Sequence, residues 1–450
     1  MVVMLVAACN VTRTYETPEV NTTGLFRGAN AADTNTIAAL PWQQVFTDTS
    51  LQRLIAEGIN NNLNIKVAYT RVQQAEAFYL QSRAAFLPAV SATAGISENK
   101  FSAGQGFGSR PPITQFQVGL SASWEADIWG RLGANRRANL ASLLQTQAGV
   151  QAVETGLIGT IATLYYSLLA LDQQLIITRQ TVSNWDTTVT TMRALKEAAR
   201  VTEAAVVQSQ SQLYAAEVTI PDLKQRIRET ENALSILLGH GPAPVTRGQL
   251  DEQQPLALLQ AGVPAQLLAN RPDVQQAELA FRNAFELTNV ARAAFYPSLN
   301  ITASAGQFGL SPASVFDIGS LAANIGIGLT QPIFNRRLIR TNLTVAEAQQ
   351  QAALLNFQNT LLTAGQEVSD ALSLHETALE KIQVRSNQLN ALEKSVEYSQ
   401  ELLRNGFANY TEVINARQFL LGAELGRVND RLQQLQATVN LYRALGGGWR

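Results

Sequence analysis

Two periods divide this chain. The first is two: Val90, Ala92, Ala94 and Ile96 alternate with Ser91, Thr93, Gly95 and Ser97, and Phe116, Val118, Leu120, Ala122 and Trp124 alternate with Gln115, Gln117, Gly119, Ser121 and Ser123. The pattern returns where Leu299, Ile301, Ala303 and Ala305 oppose Asn300, Thr302, Ser304 and Gly306, and where Ile325, Ile327 and Leu329 oppose Gly326, Gly328 and Thr330. Such alternation predicts strands, here four in two hairpins over about 88–128 and 297–333. The second period is 3.5. Leu157, Ile161, Leu164, Leu168, Leu171 and Leu175 carry it, as do Leu354, Phe357, Leu361, Ala364, Val368 and Ala371, and a further run from Leu421 to Tyr442. A sustained beat of that length predicts long helices packed as left-handed coiled coils. A helix from Arg131 to about Ala199 would extend roughly 100 Å. The segment 51–86 is predicted as one helix ending before Pro88, and Pro221 as a kink.

These elements occur twice. Arg83-Ala84-Ala85-Phe86-Leu87-Pro88 and Arg292-Ala293-Ala294-Phe295-Tyr296-Pro297 are nearly the same words 209 positions apart, and similar segments follow each. The chain therefore reads as residues 1–8, the remainder of a signal segment; 9–50, an arm; 51–240, a first repeat; 241–263, a linker; and 264–450, a second repeat. Each repeat is far longer than a solenoid unit, so the protomer is one plan built twice.

Composition narrows the setting. Hydrophobic residues make up 46% and charged residues 15%, the latter below the roughly 25% of soluble domains. No run approaches the roughly 20 apolar residues of a spanning helix. A net charge of -1 and the lack of a basic cluster argue against a nucleic-acid surface. Apolar residues alternating with small polar ones over about ten positions suit a membrane barrel strand, lipid on one side and water on the other. A half-buried soluble sheet gives the same alternation. In lipid, four strands are not enough: open edges would leave N–H and C=O groups unpaired, so several copies would have to close one sheet.

Candidate chemistry is sparse. The single cysteine, Cys9, follows Leu5-Val6-Ala7-Ala8 and resembles a bacterial lipobox, with Asn10 compatible with outer-membrane delivery. The charged n-region of a signal peptide does not precede it, which is read as a start placed too late or a truncated chain. The two histidines, His240 and His375, have no ligand set around them in sequence. No phosphate loop and no G-x-S-x-G motif is present. No enzyme activity and no cofactor are expected.

Four motifs carry a resemblance over essentially the whole chain. They are Gly262–Leu268 running into Arg271-Pro272-Asp273-Val274; Ala293–Ser298; Trp124–Arg131 with its counterpart Gln331-Pro332-Ile333-Phe334; and the C-terminal Leu441–Trp449. With these the chain resembles the outer-membrane efflux proteins, the TolC-like family, and most closely its OprM-like lipoprotein branch. The resemblance implies a mainly α protomer with a transmembrane β part. It implies a homotrimer whose strands form one twelve-stranded barrel, continuous with a periplasmic α-helical barrel. It also implies a lipid anchor at Cys9 in the outer membrane, a periplasmic adaptor and an inner-membrane RND-type pump as partners, and a passive exit duct for small toxic compounds.

The same resemblance assigns the tips. Arg404, Asn405, Gly406 and Phe407, with Ala199 and Arg200 in the first repeat, fall at helix–helix turns that would close the periplasmic end and meet the adaptor. Glu412 and Asn415 match two inward acidic positions three apart, so only one of the pair is acidic here. Residues i and i+3 share a helix face, and rotational symmetry would make Glu412 a carboxylate ring. Without the family, Glu412 reads as a solvated surface charge. A duct for secreted polypeptides and a periplasmic coiled-coil scaffold are the competing functions.

Overall fold

The computed structural model describes residues 11–20, 24–27, 36–100, 112–254 and 266–449. In chain order the elements are α1 (Trp42–Val45), α2 (Thr49–Asn61), α3 (Leu63–Ala84), β1 (Ala89–Asn99), β2 (Ile113–Ala126), α4 (Arg131–Glu197), α5 (Glu203–Glu217) and α6 (Thr219–Leu237). The second half adds α7 (Gln266–Asn270), α8 (Pro272–Ala293), β3 (Ser298–Gly309), β4 (Leu321–Thr330), α9 (Leu338–Arg404) and α10 (Tyr410–Ala444). The described residues fall into two compact units, those within 11–19, 71–147 and 276–358 in one and those within 20–70, 148–275 and 359–449 in the other.

The first unit holds the sheet. The two predicted hairpins do not stand apart: β2 pairs antiparallel with β3, giving one four-stranded sheet in the order β1-β2-β3-β4. Register keeps the faces pure, with Val90 opposite Ala122, Trp124 opposite Ile301, and Ile301 opposite Ile327. The apolar face stays bare. Leu120 is 57% exposed and Ile325 78%, which a soluble half-buried sheet would not leave so. The polar face carries Ser91 and Ser121, whose hydroxyls lie 2.9 Å apart. At its centre Gly119 opposes Gly306, and a Cβ on Gly119 would come within 3.0 Å of Gly306 Cα. Only glycine fits that crease. Where the first repeat meets the second, Arg137 makes two hydrogen bonds, 2.8 and 3.0 Å, to the buried Glu286, and Asn283 donates to Ala138 O at 2.7 Å.

The second unit is helical, and its core follows the 3.5-residue beat. Leu171 and Leu175 of α4 pack on Leu223 of α6, flanked by Ile220 and Ile227. Trp185, Val189, Leu213, Ala216 and Ile414 make a second cluster. One stretch of α4 has a mean hydropathy of 1.2 and is apolar enough by composition to cross a membrane, contrary to the sequence reading. Its burial, 56% of the window inside the chain, makes it a packing surface.

One helix boundary differs from expectation. The helix predicted over 51–86 breaks at Asn62, whose side-chain oxygen accepts from the N–H groups of Asn64 (2.8 Å) and Ile65 (3.2 Å) and so starts α3 afresh. Arg271 sits at the equivalent break between α7 and α8. The kink expected at Pro221 is found three residues earlier, at Val218, where α5 ends and α6 begins with Val218 itself still in helical conformation (φ -64°, ψ -21°). Proline in the first turn has no N–H to offer the preceding turn, so the helix restarts there.

Candidate functional site

The two helix–helix turns named by the sequence share one geometry. In the α4–α5 turn, Ala199 has φ 55° and the N–H of Arg200 returns to Leu195 O at 2.8 Å. In the α9–α10 turn, Gly406 has φ 79° and the N–H of Phe407 returns to Leu402 O at 2.9 Å. Both are Schellman closures with a left-handed residue after the helix. Asn405 reinforces the second, donating to Glu401 O at 2.9 Å, while Arg404 lies 3.8 Å from the Glu401 carboxylate. Arg200 is exposed, and Phe407 is 81% exposed.

What the sequence reading missed is how these turns are joined. Buried Met192, Ala205 and Val206 form a core on which Leu195 and Val201 of the first turn and Leu403 and Tyr410 of the second all pack. Lys196 and Glu203 pair across the first turn, where the second turn has Leu403 and Tyr410 at the corresponding places. The turns are thus one apolar knot with a charged clasp on one side.

Glu412 and Asn415 lie on one exposed face at the start of α10, and Val413, Ile414 and Ala416 between and beside them are buried. Asn409 caps the helix, its side chain accepting from Thr411 N–H at 3.4 Å. Glu412 stands in the first turn, where a carboxylate is also favoured by the helix dipole. It makes no ion pair among the described residues. Its neighbour Ile414 is pinned against Trp185 and Val189 of α4, so the face bearing Glu412 is held by packing.

Elsewhere, hydrogen-bonded hubs fix the helices. Asp48 accepts from Tyr165 Oη (2.6 Å), Gln253 Nε2 (2.7 Å) and Ser50 N–H (2.7 Å). Burial alone would raise its pKa, but these bonds outweigh it and lower the carboxyl. Arg247 bridges Asp172 and Glu231 at 2.5 Å each. His375 lies half-buried on α9, with burial lowering its pKa and Nδ1 unpartnered, and His240 is exposed in the turn after α6. Among the described residues no group of three His, Cys, Asp or Glu side chains could hold a metal. Cys9, the lipobox candidate, lies outside the described residues.

Comparison with known proteins agrees with this arrangement. The family model described as "Outer membrane efflux protein" matches residues 54–240 and again 263–447. The toluene efflux pump outer membrane protein TtgC of Pseudomonas putida is 31% identical over 99% of this chain and 94% of its own length. The probable outer membrane lipoprotein SilC of Salmonella typhimurium is 27% identical over 91% of this chain and 88% of its length. A membrane protein of Pseudomonas aeruginosa superposes with a TM-score of 0.89 at 26% identity, covering 97% of this chain and all of that one. With two matched repeats, a membrane-type sheet and helices of the same architecture, the chain belongs to the outer membrane efflux protein family and is an outer-membrane channel component of an efflux system.

Proposed function

We propose that three copies of this chain close one barrel and form a passive exit duct. In this reading a periplasmic adaptor docks at the turns around Ala199, Arg200, Arg404, Asn405, Gly406 and Phe407. An inner-membrane RND-type pump supplies the energy, and Cys9 carries a lipid anchor. The observation that carries it is the sheet. Its apolar face is bare, and β1 and β4 have ladder partners on one side only among the described residues. In hydrocarbon such edges must pair, and further copies of the chain supply the partners.

The duplication supports where they would pair. Inside the chain, Trp129 sits three residues past β2; its Nε1–H donates to Pro297 O at 2.7 Å and its ring lies 5.0 Å from that of Tyr296. Phe334 is its counterpart past β4, and Leu87–Pro88 are the counterparts of Tyr296–Pro297. Both are left open: Phe334 is 87% exposed and Leu87 68%. A flank and a seat of matching kind, at opposite ends of one sheet, are what a head-to-tail ring requires. The family resemblance sets the count at three.

Cargo follows the relatives: TtgC is named for toluene, and small apolar toxic compounds are the class proposed here. Glu412 from each copy would ring the periplasmic constriction, with Asn415 adding a neutral ring. Planar-bilayer recordings test both parts. Purified protein should conduct as an oligomer, and Glu412→Gln should reduce cation preference. A stable monomer without conductance sinks the duct, and unchanged selectivity in the variant removes Glu412 from the gate.

A further inference from the structure

A cleft of about 460 Å³ lies between α4, α9 and α10, a size typical of small-molecule sites. Aliphatic side chains, Ile176 and Ile177 of α4, Val396 of α9, and Leu420 and Leu421 of α10, line it together with the polar Gln180, Thr181 and Gln400. At one end stands Arg417. Its guanidinium lies 5.9 Å from the ring centre of Trp185, which is itself only 3% exposed. Nη1 donates to Asn184 O at 3.0 Å, whereas Nε is buried with no hydrogen-bond partner. No carboxylate among the described residues pairs with it. Arg247, Arg271 and Arg385 of the same helical unit each have an acidic partner, and Arg431, which has none, is held instead by Gln434 and the carbonyl of Gln253.

We infer that this cleft binds a small amphiphilic organic anion, its carboxylate or sulfonate on Arg417 and its apolar body along Val396, Leu420 and Leu421. A half-buried guanidinium that lines a cleft and has no carboxylate partner favours a negative charge beside it, and an anion supplies that charge. Burial lowers the Arg417 pKa, as expected of a cation partly withdrawn from water. Glu424 lines the cleft seven residues further along α10, and burial raises its pKa against the opposing charge of Arg427. A carboxyl there disfavours a second negative charge at that end, so the ligand is a monoanion. Because α10 also carries Glu412, an occupant would bear on how α10 sits against α4.

The test uses naphthalene-1-sulfonate and its neutral relative naphthalene-1-sulfonamide, by equilibrium dialysis against the full chain in nonionic detergent. The sulfonate should bind saturably and the sulfonamide about tenfold or more weaker, the loss expected when a charge-assisted contact is removed. Arg417→Gln should weaken the sulfonate alone, and Leu420→Trp should fill the cleft and block it while leaving the guanidinium in place. The second variant and the sulfonamide decide the matter if Arg417→Gln does not fold. Equal binding of the two compounds, wild-type affinity in Leu420→Trp, or no saturable binding to the wild-type oligomer overturns the proposal. The last outcome is also what a neighbouring copy's carboxylate on Arg417 would give.

Discussion

Asn62 and Arg271, at equivalent places in the two repeats, each hold the end of their own repeat's last helix. Asn62 Nδ2 donates to Leu237 O at 2.8 Å, and Arg271 Nη1 donates to Ala444 O at 2.7 Å. Both carbonyls belong to a final helical turn, where no backbone donor is available. Just beyond, Gly239 (φ 81°) and Gly446 (φ 85°) press their backbones against Asn61 and Asn270. Arg271 does more than Asn62, because it also binds Asp273 at 2.6 Å and Glu367 at 2.8 Å. Arg271→Met should therefore cost about 2–4 kcal/mol and Asn62→Ala about 1–2 kcal/mol. Thermal unfolding at one scan rate orders them; a costlier Asn62→Ala would contradict the assignment.

The tips should respond oppositely to exchange of their left-handed residues. Alanine at φ 55°, as in Ala199, is strained by about 1 kcal/mol, part of which glycine returns as lost chain order. Ala199→Gly is expected to be neutral or stabilising by up to ~1 kcal/mol, and Gly406→Ala destabilising by about as much. Equal losses from both would mean that the two turns do not share this conformation.

Acid should loosen the helical unit through Asp48. Its folded pKa is lowered, so its contribution is fully present above the unfolded value of about 3.9 and is lost as pH falls through the folded value. Asp273, lowered as well, acts in the same direction. Asp48→Asn should flatten the stability profile below about pH 4 without abolishing its slope. A profile parallel to wild type would remove Asp48 as a contributor.

The ring contact is open to chemistry. Phe334→Cys combined with Leu87→Cys should give disulfide-linked multimers on oxidation in membranes, with neither single variant doing so. A second pair placed on the outer edges of β1 and β4 serves as control. Links from that pair alone would keep the ring and discard the Phe334 seat; links from neither would discard the ring.

Much of this was legible beforehand, for physical reasons. Strand faces and helix seams announce themselves by period, because each buries one side: Leu171 and Leu175 lie on the beat and are in the core. The family resemblance located both turns. What stayed hidden depends on distant residues meeting. Pairing of β2 with β3 follows from no local signal, since the partners lie almost two hundred positions apart. Arg417 over Trp185 and the knot around Met192 are hidden for the same reason. Asn62 looked like an ordinary helix position because its capping role depends on a backbone break that propensity does not show.

The one-sided strands β1 and β4 have a genetic consequence. If every subunit must offer a sound edge to both neighbours, one defective subunit spoils the assembly that includes it. In cells making normal and edge-damaged protein equally, a three-membered ring would be wholly normal about one time in eight. Alleles altering β1 or β4 should then behave as dominant, whereas alleles that merely prevent the chain from folding should be recessive.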